Sequence, residues 1–321
     1  MATFSTTNHM DLVEAFKREN FTNAESLLGG LIENNDLLRT AAVLPSSNGS
    51  YHKTLVADKL GTGAFRGAYE AIKQTNSVTH MVSEPIVSYE GESEVDELIL
   101  KGADNPATAR MTEDMMNLQG ISNGFNSELI YCSPSKATEN FRGLAARRNK
   151  IGTYCINCGG TAANALSSAY LIEMGETAFS FRYAKGTMPG ISKEDMGLNK
   201  CEADGGGHYW GWVTKYAIAL GVAIRQENAL FRLANIDPTS DNIASFFENI
   251  IRAKNKLPSR GKGAFLYVNA DVQSVIEIMT MNKAQYGLSI RDIEGYGPVT
   301  HFLNVPVLCM DAITSTEAKL S

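Results

Sequence analysis

Arg232-Leu-Ala-Asn-Ile-Asp237 closes a long apolar run that opens near Trp210, and Phe141-Arg-Gly-Leu-Ala-Ala-Arg147 lies about one small domain upstream. The run itself predicts long strands from Tyr209 through Asn235. Val213 to Ile224 mixes β-branched and aromatic residues with hardly a break, as in strands covered on both faces. Upstream, 166–172 and 178–183 also read as strands, joined at Gly175, and the glycine-rich stretch 185–208, ending in Gly205-Gly206-Gly207, reads as a loop.

Downstream, Asp237-Pro238-Thr239 starts an amphipathic helix with Ile243, Phe246, Phe247, Ile250 and Ile251 on one side, and Pro258 to Gly263 ends it. A strand over 264–268 then feeds a helix capped by Asn269, with Val272, Val275, Ile276 and Met279 turned inward. Strand-like 299–303 and 305–310 close the chain. This alternation predicts an α/β unit with its own core.

Working back towards the start, Asn105-Pro106 opens a helix that meets no breaker before Gln119 and is expected to run to about Phe125. Met111, Met115, Leu118, Ser122 and Phe125 make one narrow stripe, suited to a helix lying across a sheet. The acidic run Glu90, Glu92, Glu94, Asp96, Glu97 precedes it and reads as a solvated face, with a salt-bridging role between subunits as the alternative. From Tyr51 to Tyr89 the sequence is β-prone around Gly61-Thr62-Gly63. Val78, His80, Val82 and Ile86 alternate loosely, which predicts an extended two-stranded ribbon. The first 45 residues form an arm. Asn8 can cap a helix bearing Leu12, Val13 and Phe16, and Asn23 a second one with Leu27, Leu28, Leu31 and Ile32, interrupted at Gly29-Gly30.

The 321 residues are 44% hydrophobic and 20% charged with a net charge of −6, enough for a real core and too acidic for a chain whose main task is wrapping nucleic acid. No apolar run approaches the roughly 18 residues of a membrane span, the longest candidate being 216–224. The five scattered cysteines (Cys132, Cys155, Cys158, Cys201, Cys309) argue against a secreted disulfide framework and for a reducing cytoplasm.

The motifs that could carry chemistry are incomplete. Cys155-Ile-Asn-Cys158 has the spacing of half a zinc site, but no second cysteine pair or paired histidines complete it. Gly61-Thr-Gly63 lacks the preceding strand of a dinucleotide fold, and Arg260-Gly261-Lys262-Gly263 lacks both the upstream glycine and the hydroxyl of a phosphate loop. The histidines His9, His52, His80, His208 and His301 share no helical face. No catalytic, cofactor-binding or metal site is expected.

Across 60–237 the order of short motifs resembles that of the major capsid proteins of short-tailed bacteriophages, the epsilon15-like group. The matching pieces are Leu60 and Arg66, Glu94-Val95-Asp96, and Ala109 through Asp114. Phe141, Gly143, Leu144, Ala145 and Arg147 follow, then Gly159-Gly160-Thr161 leading into 167–171. Lys185-Gly186, Glu194-Asp195-x-Gly197, 221–225 and 232–237 complete the series. The chain departs from the pattern at Tyr69-Glu70-Ala71 and at Gln226-Glu227-Asn228.

The resemblance implies an α+β chain with the Hong Kong 97-type capsid fold. Its parts would be an N-terminal arm (1–50), an extended loop (51–90), a peripheral domain with a spine helix (91–237, including the loop 185–208) and an axial-type α/β domain (238–321). It further implies a coat protein that self-assembles through pentamers and hexamers into an icosahedral shell around the double-stranded DNA of a tailed bacteriophage. Such a protein resides in the virion, is assembled in the host bacterial cytoplasm, and has scaffolding, portal and cement proteins as partners, with DNA contacted weakly. Gly205 to Gly207 reads either as a hinge for shell rearrangement or as a hairpin tip, and Lys59 and Lys73 stand as candidates for cross-links. Two rivals share parts of the pattern: an encapsulin-like compartment shell, and a soluble thiol oxidoreductase using Cys155 and Cys158.

Overall fold

The computed structural model describes residues 37–321 apart from 38, 39, 41, 73, 134–140, 187–190, 204, 240–242, 281–287 and 294–296. The helices expected after Asn8 and Asn23 lie outside the described residues, as does Lys73.

In chain order the strands are β1 (Val43–Pro45), β2 (Tyr51–Lys59), β3 (Val78–Pro85) and β4 (Val87–Asp96). Helices α1 (Glu97–Gly102), α2 (Pro106–Tyr131) and the short α3 (Leu144–Arg147) follow. Next come β5 (Cys155–Asn157), β6 (Ser167–Glu173), β7 (Phe179–Tyr183), β8 (Ile191–Glu202), β9 (His208–Ile224) and β10 (Leu230–Ile236). The chain ends with α4 (Ile243–Lys256), β11 (Ala264–Val268), α5 (Ala270–Thr280), β12 (Leu288–Ile293), β13 (Gly297–Phe302) and β14 (Val305–Cys309).

These strands form three sheets. Among the described residues β2 and β3 pair only with each other, Tyr51 opposite Pro85, giving the two-stranded ribbon that the alternation predicts. β9 is the axis of a second sheet, with β8 pairing along 208–218, β4 along 211–220, β7 along 221–224 and β1 beyond β7. The third has seven strands in the order β12-β13-β14-β11-β6-β10-β5.

β6 and β7 therefore part at Gly175 into different sheets. An apolar strand–turn–strand pattern cannot distinguish that from a hairpin. The α/β unit expected from residue 238 onward does not stand on a core of its own either. β11 pairs with β6, and Ala169, Leu171, Phe231 and Leu233 share one core with Phe246, Ile250, Val272 and Ile276.

The stretch 185–208 is corrected most. Ile191–Glu202 is a twelve-residue strand paired with β9, and the loop shrinks to a hairpin tip in which Gly205, Gly206 and Gly207 all have positive φ. Nearly all of β8 is exposed, so it carries no apolar alternation for a pattern to find. The left-handed glycines support the hairpin-tip reading of Gly205–Gly207.

Helix α2 is 26 residues long, with Asn105 Oδ1 accepting from the Thr108 amide at 3.3 Å and Pro106 in the first turn. It crosses β4 at close range: a Cβ at Gly91 would lie 2.6 Å from Ile121, and one at Gly124 2.5 Å from the Tyr89 hydroxyl. Met115 and Phe125 are buried as the stripe predicts, whereas Met111 is 41% exposed.

The face of α2 turned to the sheet near its start is polar instead. Arg110 Nη2 reaches Asp195 at 2.6 Å and Thr214 Oγ1 at 3.0 Å, and Asp114 Oδ2 accepts from Lys193 and Thr214 at 3.2 and 3.1 Å. Gly120 has open space where a Cβ would go. Gly120→Ala should therefore stabilise the subunit by about 1 kcal/mol, read as a rise in the urea midpoint at unchanged slope.

In α4, Phe246, Phe247 and Ile250 are buried, but Ile251 is 38% exposed, and Ala253 takes the place in the core expected of it. The cap on α5 is as expected, the Val272 amide donating to Asn269 Oδ1 at 3.0 Å. Four of the five carboxylates of the acidic run have partners within the chain. Glu90 meets Lys215 at 2.7 Å, Glu94 accepts from the Tyr209 hydroxyl at 2.8 Å, Asp96 caps α1, and Glu97 meets Lys101 at 2.9 Å.

Candidate functional site: the signature junction and the ribbon

The segment Phe141–Arg147 lies where α2 ends. Phe141 and Leu144 are buried in the core that also holds Leu129 and Ile130. Between them Gly143 is pinched by backbone: its amide donates to Cys132 O at 2.9 Å, and a Cβ there would sit 2.6 Å from Ile130 O and 2.9 Å from Cys132 N. Its φ of −65° is ordinary, so the requirement for glycine is space alone.

One turn later Arg147 grips the root of the ribbon. Its Nη1 and Nη2 donate to Glu84 Oε1 and Oε2, each at 2.7 Å, and Nε donates to Arg142 O at 2.9 Å. Both side chains are largely buried, so this fork bears more than a surface ion pair would. Lysine cannot reproduce the two parallel bonds. Arg147→Lys is expected to speed amide exchange in Val78–Pro85 about tenfold, while exchange in Ala264–Val268 stays near wild type, measured by hydrogen–deuterium exchange on subunits.

Arg232 brings the second motif to the first. Its Nη1 donates to Ala145 O and Arg148 O at 3.3 and 3.1 Å, Nε to Ser168 Oγ at 3.0 Å, and Nη2 to Glu317 at 2.9 Å. Arg232 thus fills the carbonyl end of α3 and fixes the C-terminal tail at once. Glu317 also accepts from the Ser168 and Tyr131 hydroxyls. Burial, and then the charge of Glu317, push the Tyr131 phenol up to about 12, so it stays a donor throughout the physiological range.

Asn235, held at φ 59°, exchanges two bonds with Leu320 at 2.9 and 2.8 Å. Gly160 approaches so closely that a Cβ would lie 2.6 Å from Asn235 O. Arg148 completes the junction, stacking on Tyr154 at 4.9 Å and pairing with Glu227 at 2.8 Å.

Both motifs were legible in the sequence, but their partners Glu84, Glu317 and Leu320 were not. Glu317 lies 85 residues from Arg232, and nothing about a glutamate in a polar tail marks it as buried.

The ribbon shows the opposite character. Leu60, Phe65, Tyr69, Ile72 and Met81 along it and its tip are all more than half exposed. Lys59 is exposed at the end of β2. Cys155 and Cys158 are buried on and just after β5. Burial pushes the Cys158 thiol up to about 12 and also raises Cys155, which disfavours the thiolate that exchange chemistry needs. Among the described residues no cluster of three His, Cys, Asp or Glu side chains could hold a metal.

Residues 23–321 match the family model of the major capsid protein GP7. The chain belongs to that family. Among solved structures, the capsid protein is similar over 99% of both chains to bacteriophage epsilon15, at 17% identity and a TM-score of 0.65. The bacteriophage JBD30 capsid is matched over 86% of this chain and 89% of that one, at 13% identity and a TM-score of 0.49. The SrpI encapsulin of Synechococcus elongatus PCC 7942 is matched over 64% of this chain and 89% of that one, at 12% identity and a TM-score of 0.46. No curated protein sequence matches the chain.

The capsid protein therefore has the Hong Kong 97-type α+β fold. It is a virion structural protein that builds an icosahedral bacteriophage shell.

Proposed function

We propose that the capsid protein reaches this shell through pentamers and hexamers that enclose double-stranded DNA. The ribbon of each subunit overlaps its neighbour, and α2 stiffens the region beneath it. In the division proposed here, 1–50 is the arm, 51–90 the extended loop, 91–237 the peripheral domain and 238–321 the axial-type domain. The last two share the seven-stranded sheet. The axial-type domain crowds around the five- and six-fold axes.

One observation carries this reading: a two-stranded sheet, β2–β3, hydrogen-bonded to no other described strand, whose connecting segment exposes Leu60, Phe65, Tyr69 and Ile72. Two strands alone bury too little to be useful to a monomer, and apolar side chains set out at their tip need a partner surface.

Replacing Phe65, Tyr69 and Ile72 together by serine tests it. The subunit should keep its circular dichroism and melting temperature, because these side chains touch little of their own chain, while shells no longer form in an assembly assay followed by light scattering. Shells at the wild-type yield would refute the overlap.

Scaffolding, portal and cement proteins are the further partners this reading assigns, with assembly in the host bacterial cytoplasm. DNA is held loosely, in keeping with a net charge of −6 that leaves little for phosphates to bind. Among the described residues no helix is long and apolar enough to cross a membrane. The shell's work is mechanical and needs no catalytic centre.

A further inference from the structure

The segment 313–320 lies across the junction as a strap, held by widely separated parts of the chain. At the end of α2 the Thr314 amide donates to the Tyr131 hydroxyl at 3.0 Å. The Glu317 and Lys319 amides donate to Leu166 O and Ala163 O at 2.8 and 3.2 Å, and Leu320 exchanges two bonds with Asn235 on β10. The Glu317 carboxylate accepts from Tyr131, Ser168 and Arg232.

This attachment differs in kind from that of the sheets. Ile313 is 2% exposed, but beyond it no apolar side chain of the strap is fully buried. Hydrogen bonds gathered on one carboxylate hold the strap, in place of an apolar face. Segments with little apolar burial open locally, at a fraction of the cost of unfolding the whole chain.

The guanidinium that grips the strap also grips α3. Arg232 donates to Glu317 from Nη2 and to Ala145 O and Arg148 O from Nη1. Helix α3 is a single turn of four residues with no side-chain cap at its start, too short to hold itself in place. Arg147, on that turn, holds Glu84 through two bonds of 2.7 Å, and Glu84 is the last residue but one of β3, at the root of the ribbon. A continuous series of charge-assisted contacts thus runs from Glu317 through Arg232, α3 and Arg147 to Glu84.

We propose that the strap is a latch for the ribbon. Docked, it fixes α3 and, through Arg147, holds the ribbon in one pose; released, it lets the root of the ribbon swing. For the shell, a ribbon already held meets a neighbour without first having to be ordered, which lowers the concentration needed for assembly. Only that consequence rests on the assembly reading above. The coupling itself is a property of the subunit and is tested on subunits.

Glu317→Gln, Glu84→Ala and the two together are made in the full-length chain, and amide exchange is followed by mass spectrometry. Glutamine keeps the shape of Glu317 but weakens its hold on Arg232, so exchange in Val78–Pro85 should quicken about fivefold while Ala264–Val268 keeps the wild-type rate. In the Glu84→Ala background, where the last contact of the series is gone, the same change should add nothing. Asn235→Gly opens the strap by a second route. It keeps the left-handed φ of 59°, removes both bonds to Leu320 without touching a charge, and should quicken the same strand.

Unchanged ribbon exchange in both strap variants would overturn the latch. So would an equal rise in Val78–Pro85 and Ala264–Val268, the mark of general destabilisation, or Glu317→Gln and Glu84→Ala effects that multiply as independent changes do. In an assembly assay the Glu317→Gln chain should need about five times the wild-type concentration, the same factor carried through to the contact. Assembly at the wild-type concentration, with ribbon exchange quickened, would overturn the latch's part in assembly and leave both the coupling and the assembly reading standing.

Discussion

Gly143→Ala should abolish soluble subunits or lower their stability by more than about 4 kcal/mol, among the largest effects a single methyl group can have in this chain. The added carbon meets Ile130 O at 2.6 Å, Ile130 C at 2.8 Å and Cys132 N at 2.9 Å, all backbone, and none of them can swing aside as a side chain could. Relief requires moving the end of α2 away from α3. That would disturb Phe141 and Leu144 in the core and lift Arg147 from Glu84.

The Gly120→Ala variant is the control, since it makes the same change inside α2 with nothing within 4 Å of the added carbon. Urea midpoints of the two variants should move in opposite directions. If Gly143→Ala folded with the wild-type midpoint, the close approach described here would be wrong.

Arg232→Met is the second large effect, an expected loss of about 3–5 kcal/mol. The two side chains are each 8% exposed, so removing the guanidinium leaves the Glu317 carboxylate buried with only hydroxyl donors. It also takes a donor from Ala145 O and Arg148 O at the end of α3.

The double variant Arg232→Met/Glu317→Leu removes the uncompensated charge and should recover most of the loss, because an apolar pair of similar bulk often replaces a buried ion pair at little cost. In the single variant the tail should also become accessible, so limited proteolysis should clip the chain near Glu317 while the body survives. A double variant no more stable than the single would show that the lost backbone donors, not the stranded charge, dominate.

What the sequence revealed of this architecture follows from where apolar side chains point. The ribbon, α2, β9, β10 and the succession α4, β11, α5 each bury or expose one face in step with their own period, and periodicity reads that directly. It fails where a covered face is polar or a strand is uncovered. Arg110 and Asp114 face the sheet through Asp195, Thr214 and Lys193, so the stripe through Met111, Met115, Leu118, Ser122 and Phe125 placed Met111 inward when it is exposed.

β8 lies nearly bare on one side of β9 and looks like a glycine loop. The parting of β6 and β7 into separate sheets depends on pairing between distant segments, which no local pattern records. The two signature motifs were visible as residues, but their meeting through Arg232 and the carbonyl end of α3 could be seen only in three dimensions.

The most direct test of the central claim is electron microscopy of the full-length chain, expressed alone and purified by size exclusion. Closed shells, rings of five or six subunits, or curved sheets are expected, with the Tyr51–Pro85 ribbon lying across a neighbouring subunit. A monodisperse monomer or dimer that persists at high concentration and after addition of host lysate would contradict it.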